Sequence, residues 1–171
     1  HVSRAHQSMH HFVATAPWAP AGVLAIARDY ALAQLERHAP VAAWVVDDTG
    51  MPKKGTQSVG VARQYCGALG KQDNCQVAVS VSLVNKTMSV PAVWQLYLPK
   101  PWVTDRARRT RAGIPREVIF REKWRIALEE IDALLAEDLP PAPVVADPGY
   151  GDITAFRDGL TARGFSYMVG I

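Results

Sequence analysis

Val41-Ala42-Ala43-Trp44-Val45-Val46-Asp47-Asp48-Thr49-Gly50 is the stretch on which the fold turns. Its first six residues are all Val, Ala or Trp, a run that reads as a strand buried on both faces. Asp47 and Asp48 then fall where that strand leaves the core. The plan repeats at Ala142-Pro143-Val144-Val145-Ala146-Asp147-Pro148-Gly149-Tyr150-Gly151, again an apolar strand, an Asp and a glycine turn. Two such strands laid side by side would bring Asp48 and Asp147 together. Carboxylates gathered in this way repel one another unless a divalent cation neutralises them, which makes them natural Mg²⁺ ligands. The competing reading is that each Asp only caps a turn or a following helix.

Upstream, Ala21 to His38 has helical spacing, with Leu24, Ala27, Ala31 and Leu35 on one stripe, and Pro40 ends it. Farther upstream, His6 and His10 stand four apart, a spacing that can bind metal, but no acid or Cys completes a site. Contact with a partner or with nucleic acid backbone suits these histidines better. Pro17-Trp18-Ala19-Pro20 breaks the chain.

Downstream, Thr49 to Asn74 is a polar, glycine-rich excursion that carries Lys53, Lys54, Arg63 and Lys71. Glycines let backbone amides approach a phosphate, and lysines supply point charges. The spacing is not that of a Walker A loop. Two readings stay open: phosphate contact beside a metal site, or a solvated hairpin tip. Cys75 to Asn85 alternates, with Cys75, Val77, Val79, Val81 and Leu83 on one face, as expected of a strand with one buried face. Val90 to Leu98 returns as its hairpin partner. Glu117 to Leu135 is the strongest helical pattern, with Phe120, Trp124, Ala127, Leu128, Ile131 and Leu134 at 3.6-residue spacing. Asp152 is placed to cap a last helix, Gly164 to stop it, and Phe165 to Ile171 to form a final strand.

The 171 residues suit about one domain, and 49% hydrophobic with 20% charged residues is ordinary globular composition. Net charge is +3, unevenly spread. Lys100 to Arg125 holds nine Lys/Arg against three acids, whereas Ile126 to Asp158 holds eight acids and one Arg. Such asymmetry suits a polyanion at one face and a cation elsewhere, or simply a solvated basic loop. Two cysteines nine residues apart form neither a disulfide framework nor a zinc motif, which fits a reducing compartment. No apolar run is long enough to span a membrane. The chain begins His-Val-Ser-Arg, with no initiator Met, as expected of a piece of a longer protein.

Helix, strand, two-strand hairpin, long helix, strand, helix, strand is the order of an RNase H-like α/β fold. The expectation is a mixed sheet, an antiparallel three-strand meander plus parallel strands, covered by helices and truncated at the C-terminus. Residues 1–40 would be an N-terminal helical segment and 41–171 a partial catalytic core. In that fold the first and fourth strands are neighbours.

The chain also resembles the catalytic region of bacterial insertion-sequence transposases of the DDE superfamily. The likeness is carried by Trp44–Gly50, Pro52–Gly55, Ser58–Gly67, Gly70–Ser80, Leu96–Pro99 and the Asp-x-Gly-Tyr-Gly-Asp element at Asp147–Asp152. It implies that Asp48 and Asp147 are the first two acids of a catalytic triad, together holding two Mg²⁺ ions, with Mn²⁺ as substitute. A third acid, a Glu, is implied on a helix beyond Ile171, so that this stretch alone would be inactive; Glu122 and Glu129 are the substitutes within it. The implied activity is DNA strand cleavage and transfer at transposon ends, by a homodimer assembled on DNA in the cytoplasm, at the nucleoid. Lys53, Lys54, Arg63 and Lys71 would steady phosphates near the scissile bond, and Arg108 and Arg109 would track the backbone farther out. Asp47 ranks below Asp48 as a ligand. Two alternatives remain: a haloacid-dehalogenase-like phosphatase, from Asp147-x-x-x-x-Asp152, and a non-catalytic DNA-binding remnant of a decayed element.

Overall fold

The computed structural model describes residues 7–12, 15 and 20–171. His1 and His6 lie outside the described residues, as do Pro17 to Ala19. Residues 7–12 are helical, and their side chains are exposed. The regular elements that follow are α1 (Pro20–His38), β1 (Ala43–Pro52), β2 (Ala62–Cys66), a 3₁₀ turn (Gly67–Leu69), β3 (Lys71–Val84), β4 (Ser89–Leu96), α2 (Lys100–Thr104), α3 (Arg106–Arg111), α4 (Lys123–Ala136), β5 (Val144–Ala146), α5 (Pro148–Gly151), α6 (Thr154–Ala162) and β6 (Tyr167–Val169).

The six strands form one mixed sheet in the order β2-β3-β1-β5-β6, with β4 also paired to β3. β1, β3 and β4 are the antiparallel meander, and β5 and β6 add in parallel to β1. This is the RNase H-like arrangement expected from the order of elements. β2 is an addition to it. It shares the outer edge of β3 with β4, pairing Lys71 to Cys75 while β4 pairs Ala78 to Val84.

One large core sits between sheet and helices. From β1 come Trp44 and Val46, from β3 Val79, Val81 and Leu83, from α4 Ile126, Ala127, Ile131 and Leu134, from α6 Phe156 and Leu160. Burying each of the larger of these side chains contributes about 1.5–3 kcal/mol, so this layer outweighs any single polar contact around it. The Trp44 indole N–H donates to the Pro140 carbonyl at 3.1 Å, and its ring meets Phe165 at 5.3 Å.

Several boundaries differ from the sequence expectation. β1 does not stop at the carboxylates: its ladder with β3 runs on to Pro52. Its inner half is buried at Trp44 and Val46 and only half-buried at Ala43 and Val45, so one face, not both, is fully covered. Half of the excursion 49–74 is strand, because an antiparallel ladder satisfies backbone groups whether or not the side chains are apolar. Cys66, Cys75 and Val77 give it a small core of its own. α4 begins at Lys123, six residues later than its pattern suggests. Before it, the Arg109 guanidinium donates to the carbonyls of Ile114, Pro115 and Val118, which holds 114–118 out of a helix. On α1 the inward face is Leu24, Arg28, Leu32 and Leu35, while Ala27 is exposed. Arg28 is buried by pairing with Glu137. Asp152 ends α5, and Ile153, not Asp152, caps α6.

Candidate active site

In β1 every second residue shares a face, so Trp44, Val46 and Asp48 point the same way. The first two are buried, and Asp48 comes next, about a third exposed at the core's margin. β5 pairs β1 only from Trp44↔Val144 to Val46↔Ala146. Beyond that paired stretch β1 continues against β3 alone, and Asp147 is the first residue past the end of β5.

Asp48 is fully engaged. Its Oδ1 accepts from the Tyr150 hydroxyl at 2.7 Å, and its Oδ2 from the Lys123 ammonium. Tyr150 stands in α5 with its ring buried, 5.5 Å from that of Phe156. Burial and then the Asp48 carboxylate push the Tyr150 phenol far up, so it stays a neutral donor. Lys123 opens α4, with Nζ 5.3 Å from the centroid of the Tyr97 ring. The Tyr97 phenol is also raised, by burial first and then by Glu122 and Asp48.

Asp147 caps α5, its Oδ1 accepting from the Tyr150 N–H at 3.3 Å. The capping role thus coexists with a place at the cavity. Gly149 leaves room for this carboxylate: a Cβ there would lie 3.1 Å from Asp147 Oδ1. Gly151 anchors the turn, because a Cβ there would come within 1.8 Å of the Gly170 carbonyl oxygen beside β6.

A cavity of about 270 Å³ is lined by Asp48, Asp147, Glu122, Lys123, Tyr97 and Tyr150, among others. Asp47 is exposed, accepts from the Asp48 N–H at 2.7 Å, and does not line it. Glu129 pairs with Arg121 away from the cavity, and Asp152 is likewise absent from its wall. Among the described residues no three His, Cys, Asp or Glu side chains close into a ready-made metal cluster. Two strand-end carboxylates beside an open cavity still suit Mg²⁺, which takes one or two carboxylates and completes its shell with water and substrate phosphate. Asp48 already holds a cation, the Lys123 ammonium, which marks the place as one where positive charge is stable.

The basic residues fall in two groups. Lys53, Lys54 and Arg63, all exposed, line a shallow depression of about 590 Å³ beside the β1–β2 connection. Lys71 pairs with Asp73 at 3.1 Å. The Asn74 N–H and then Lys71 hold the Asp73 carboxyl below its usual range. Arg108 lies over the buried Trp102 ring at 3.5 Å and donates to the Thr56 carbonyl at 2.9 Å, tying α3 to the same connection. Arg109 is differently used: its guanidinium donates to four backbone carbonyls, including Val118 at 2.8 Å and Val103 at 3.3 Å.

A family model described as DDE superfamily endonuclease matches residues 1–171. The chain belongs to that family. It is also 34% identical, over 166 residues, to the probable transposase for insertion sequence element IS701 of Microchaete diplosiphon. That match takes in 96% of this chain and 40% of the relative, so the chain spans well under half the relative's length. No solved structure is a significant match.

For a DDE superfamily endonuclease, the residues that sequence reasoning missed are Lys123 and Tyr150. Tyr150 stood in the quoted Asp-x-Gly-Tyr-Gly-Asp element, but nothing in one dimension links its hydroxyl to a carboxylate 102 positions earlier. In the sequence Lys123 is only one cation of a basic window.

Proposed function

We propose that this chain forms the catalytic core of an insertion-sequence transposase, a metal-dependent enzyme that cleaves DNA phosphodiester bonds and transfers the cut strand. The observation that carries the reading is that Asp48 in β1 and Asp147, just past the end of its parallel neighbour β5, line one cavity. Their oxygens are the hard donors that a divalent ion takes. Two Mg²⁺ ions, replaceable by Mn²⁺, would supply Lewis-acid activation of the attacking oxygen and stabilise the leaving one.

The chain's own groups do the rest. Asp48 and Asp147 are the ligands, and Tyr150, a neutral donor, fixes the orientation of Asp48 through Oδ1. Lys53, Lys54 and Arg63 steady DNA phosphates beside the site, with Lys71 and Arg108 extending that surface. Arg109 is assigned to shaping the basic loop, since its donors are taken by carbonyls. The family likeness supports DNA as the substrate; transposon ends as the sites cut, and a homodimer assembled on them, complete the proposal. Among the described residues no helix is long and apolar enough to cross a membrane.

Strand cleavage by the complete protein tests the reading. Asp48→Asn and Asp147→Asn should each abolish cutting of DNA that carries the element's ends. Full activity in either variant overturns the assignment of that carboxylate.

A further inference from the structure

Both oxygens of Asp48 are occupied, and by groups of different kinds. The Tyr150 hydroxyl on Oδ1 is neutral and held by a buried ring. The Lys123 ammonium on Oδ2 is charged, and its side chain is 33% exposed. A tyrosine locked in the core cannot leave, whereas a lysine on a flexible four-carbon stem at the start of a helix can. The Tyr97 ring, 5.3 Å from Nζ, offers a second resting place for the ammonium along the same cavity wall.

We propose that Lys123 is a displaceable counter-cation that occupies the Asp48 oxygen a divalent ion must take, so that metal loading and departure of Lys123 are one exchange. This rests on the two-carboxylate metal reading above and adds a positioning residue to it. Without metal, Asp48 shares one cavity with the like charges of Asp147 and Glu122 and is repelled by them. The ammonium relieves that repulsion and keeps Asp48 aimed at the cavity. On metal loading Lys123 would give up Oδ2 while Tyr150 kept Oδ1, so that the carboxylate would stay aimed at the cavity. No bond is made or broken beyond this swap of one cation for another.

The test is Mn²⁺ binding to the chain, titrated by electron paramagnetic resonance, with Lys123→Met removing the charge and keeping the stem. A partly exposed ion pair is a modest competitor, so Lys123→Met should bind Mn²⁺ about threefold to tenfold more tightly than wild type. Lys123→Arg should return affinity to the wild-type value or below it. Acylation of Lys123 by an amine reagent, followed by mass spectrometry, should speed up when Mn²⁺ is added to the wild-type chain. Unchanged or weaker binding in Lys123→Met, with binding still abolished by Asp48→Asn, overturns the exchange and leaves the metal site standing. Absence of Mn²⁺ binding in every variant overturns both.

Discussion

β1 is one strand with two unlike halves. From Ala43 to Val46 it lies between β3 and β5, with Trp44 and Val46 buried. From Thr49 to Pro52 only β3 and the end of the β2 ribbon accompany it, and most of its side chains face water. Asp48 stands at the junction. The contrast shows what fixes the position of the polar chemistry: not the end of the strand but the end of its parallel partner. β5 is three residues long, so at Ala146 the doubly flanked part of the sheet stops. Past it β1 continues against β3 alone, and Asp147 follows β5 directly. The inner half positions the carboxylates, and the outer half leads to Lys53, Lys54 and the ribbon that carries Arg63.

The sharpest way to break that division is to alter one side of it. Asp48→Asn should lower strand cleavage by the complete protein about a thousandfold, since ion-stabilised transition states draw several kcal/mol from such ligands. DNA affinity at fixed salt should stay within about twofold, or rise slightly as a repelling charge is lost. Parallel loss of cleavage and affinity would mean that the two halves act as one surface.

Next in size is the turn that holds Asp147. Gly151→Ala drives a methyl group into the Gly170 carbonyl oxygen, a backbone atom that cannot rotate away. A loss of about 3 kcal/mol in unfolding free energy is expected, read by urea denaturation. An unchanged midpoint would show that β6 does not brace the turn.

A smaller effect separates the engaged carboxylate of Asp48 from one that has no partner. Glu130 in α4 is 4% exposed, and neither of its oxygens finds a hydrogen bond among the described residues. Burial, and then Glu129, push its carboxyl up to about 8. The folded chain therefore keeps a proton that the unfolded chain releases near 4.5. Stability from this group is lost as pH rises from about 4.5 to about 8 and is flat beyond either limit. Glu130→Met should stabilise the chain by about 2–3 kcal/mol at pH 8 and far less at pH 5, by denaturation at each pH. Equal gains at both would show that Glu130 is ionised throughout.

How much of this could be read in one dimension follows from where apolar periodicity exists. The strand-Asp-turn units at Asp48 and Asp147 were legible because burial demands long runs of Val, Ala and Trp, and the strand order followed from those runs. The ribbon at 62–75 was not, because its backbone pairing leaves no apolar alternation in Arg63, Gln64, Gln72 and Asp73. The late start of α4 was hidden for another reason. Phe120 fits the helical stripe by spacing, yet it packs against Tyr97 at 6.4 Å from a segment that is not helical. The partners of Asp48 were out of reach because Lys123 and Tyr150 are tertiary neighbours, 75 and 102 residues away.

The smallest expected effect tests the outer half of β1 alone. Lys53 and Lys54 are exposed, beside Arg63, and neither forms an ion pair among the described residues. Each phosphate neutralised by such a cation releases about 0.9 of a condensed counterion from duplex DNA. Lys53→Ala with Lys54→Ala should thus lower the slope of log affinity against log salt by about 2, and weaken binding about tenfold at moderate salt. A titration at several salt concentrations checks it, and the sign matters as much as the size. If the slope is unchanged while affinity falls, the two lysines support the ribbon's structure and do not touch phosphate. If the slope falls as stated and cleavage of saturated complexes is untouched, the outer half binds and the inner half cuts, because uniform binding terms cancel once the site is filled.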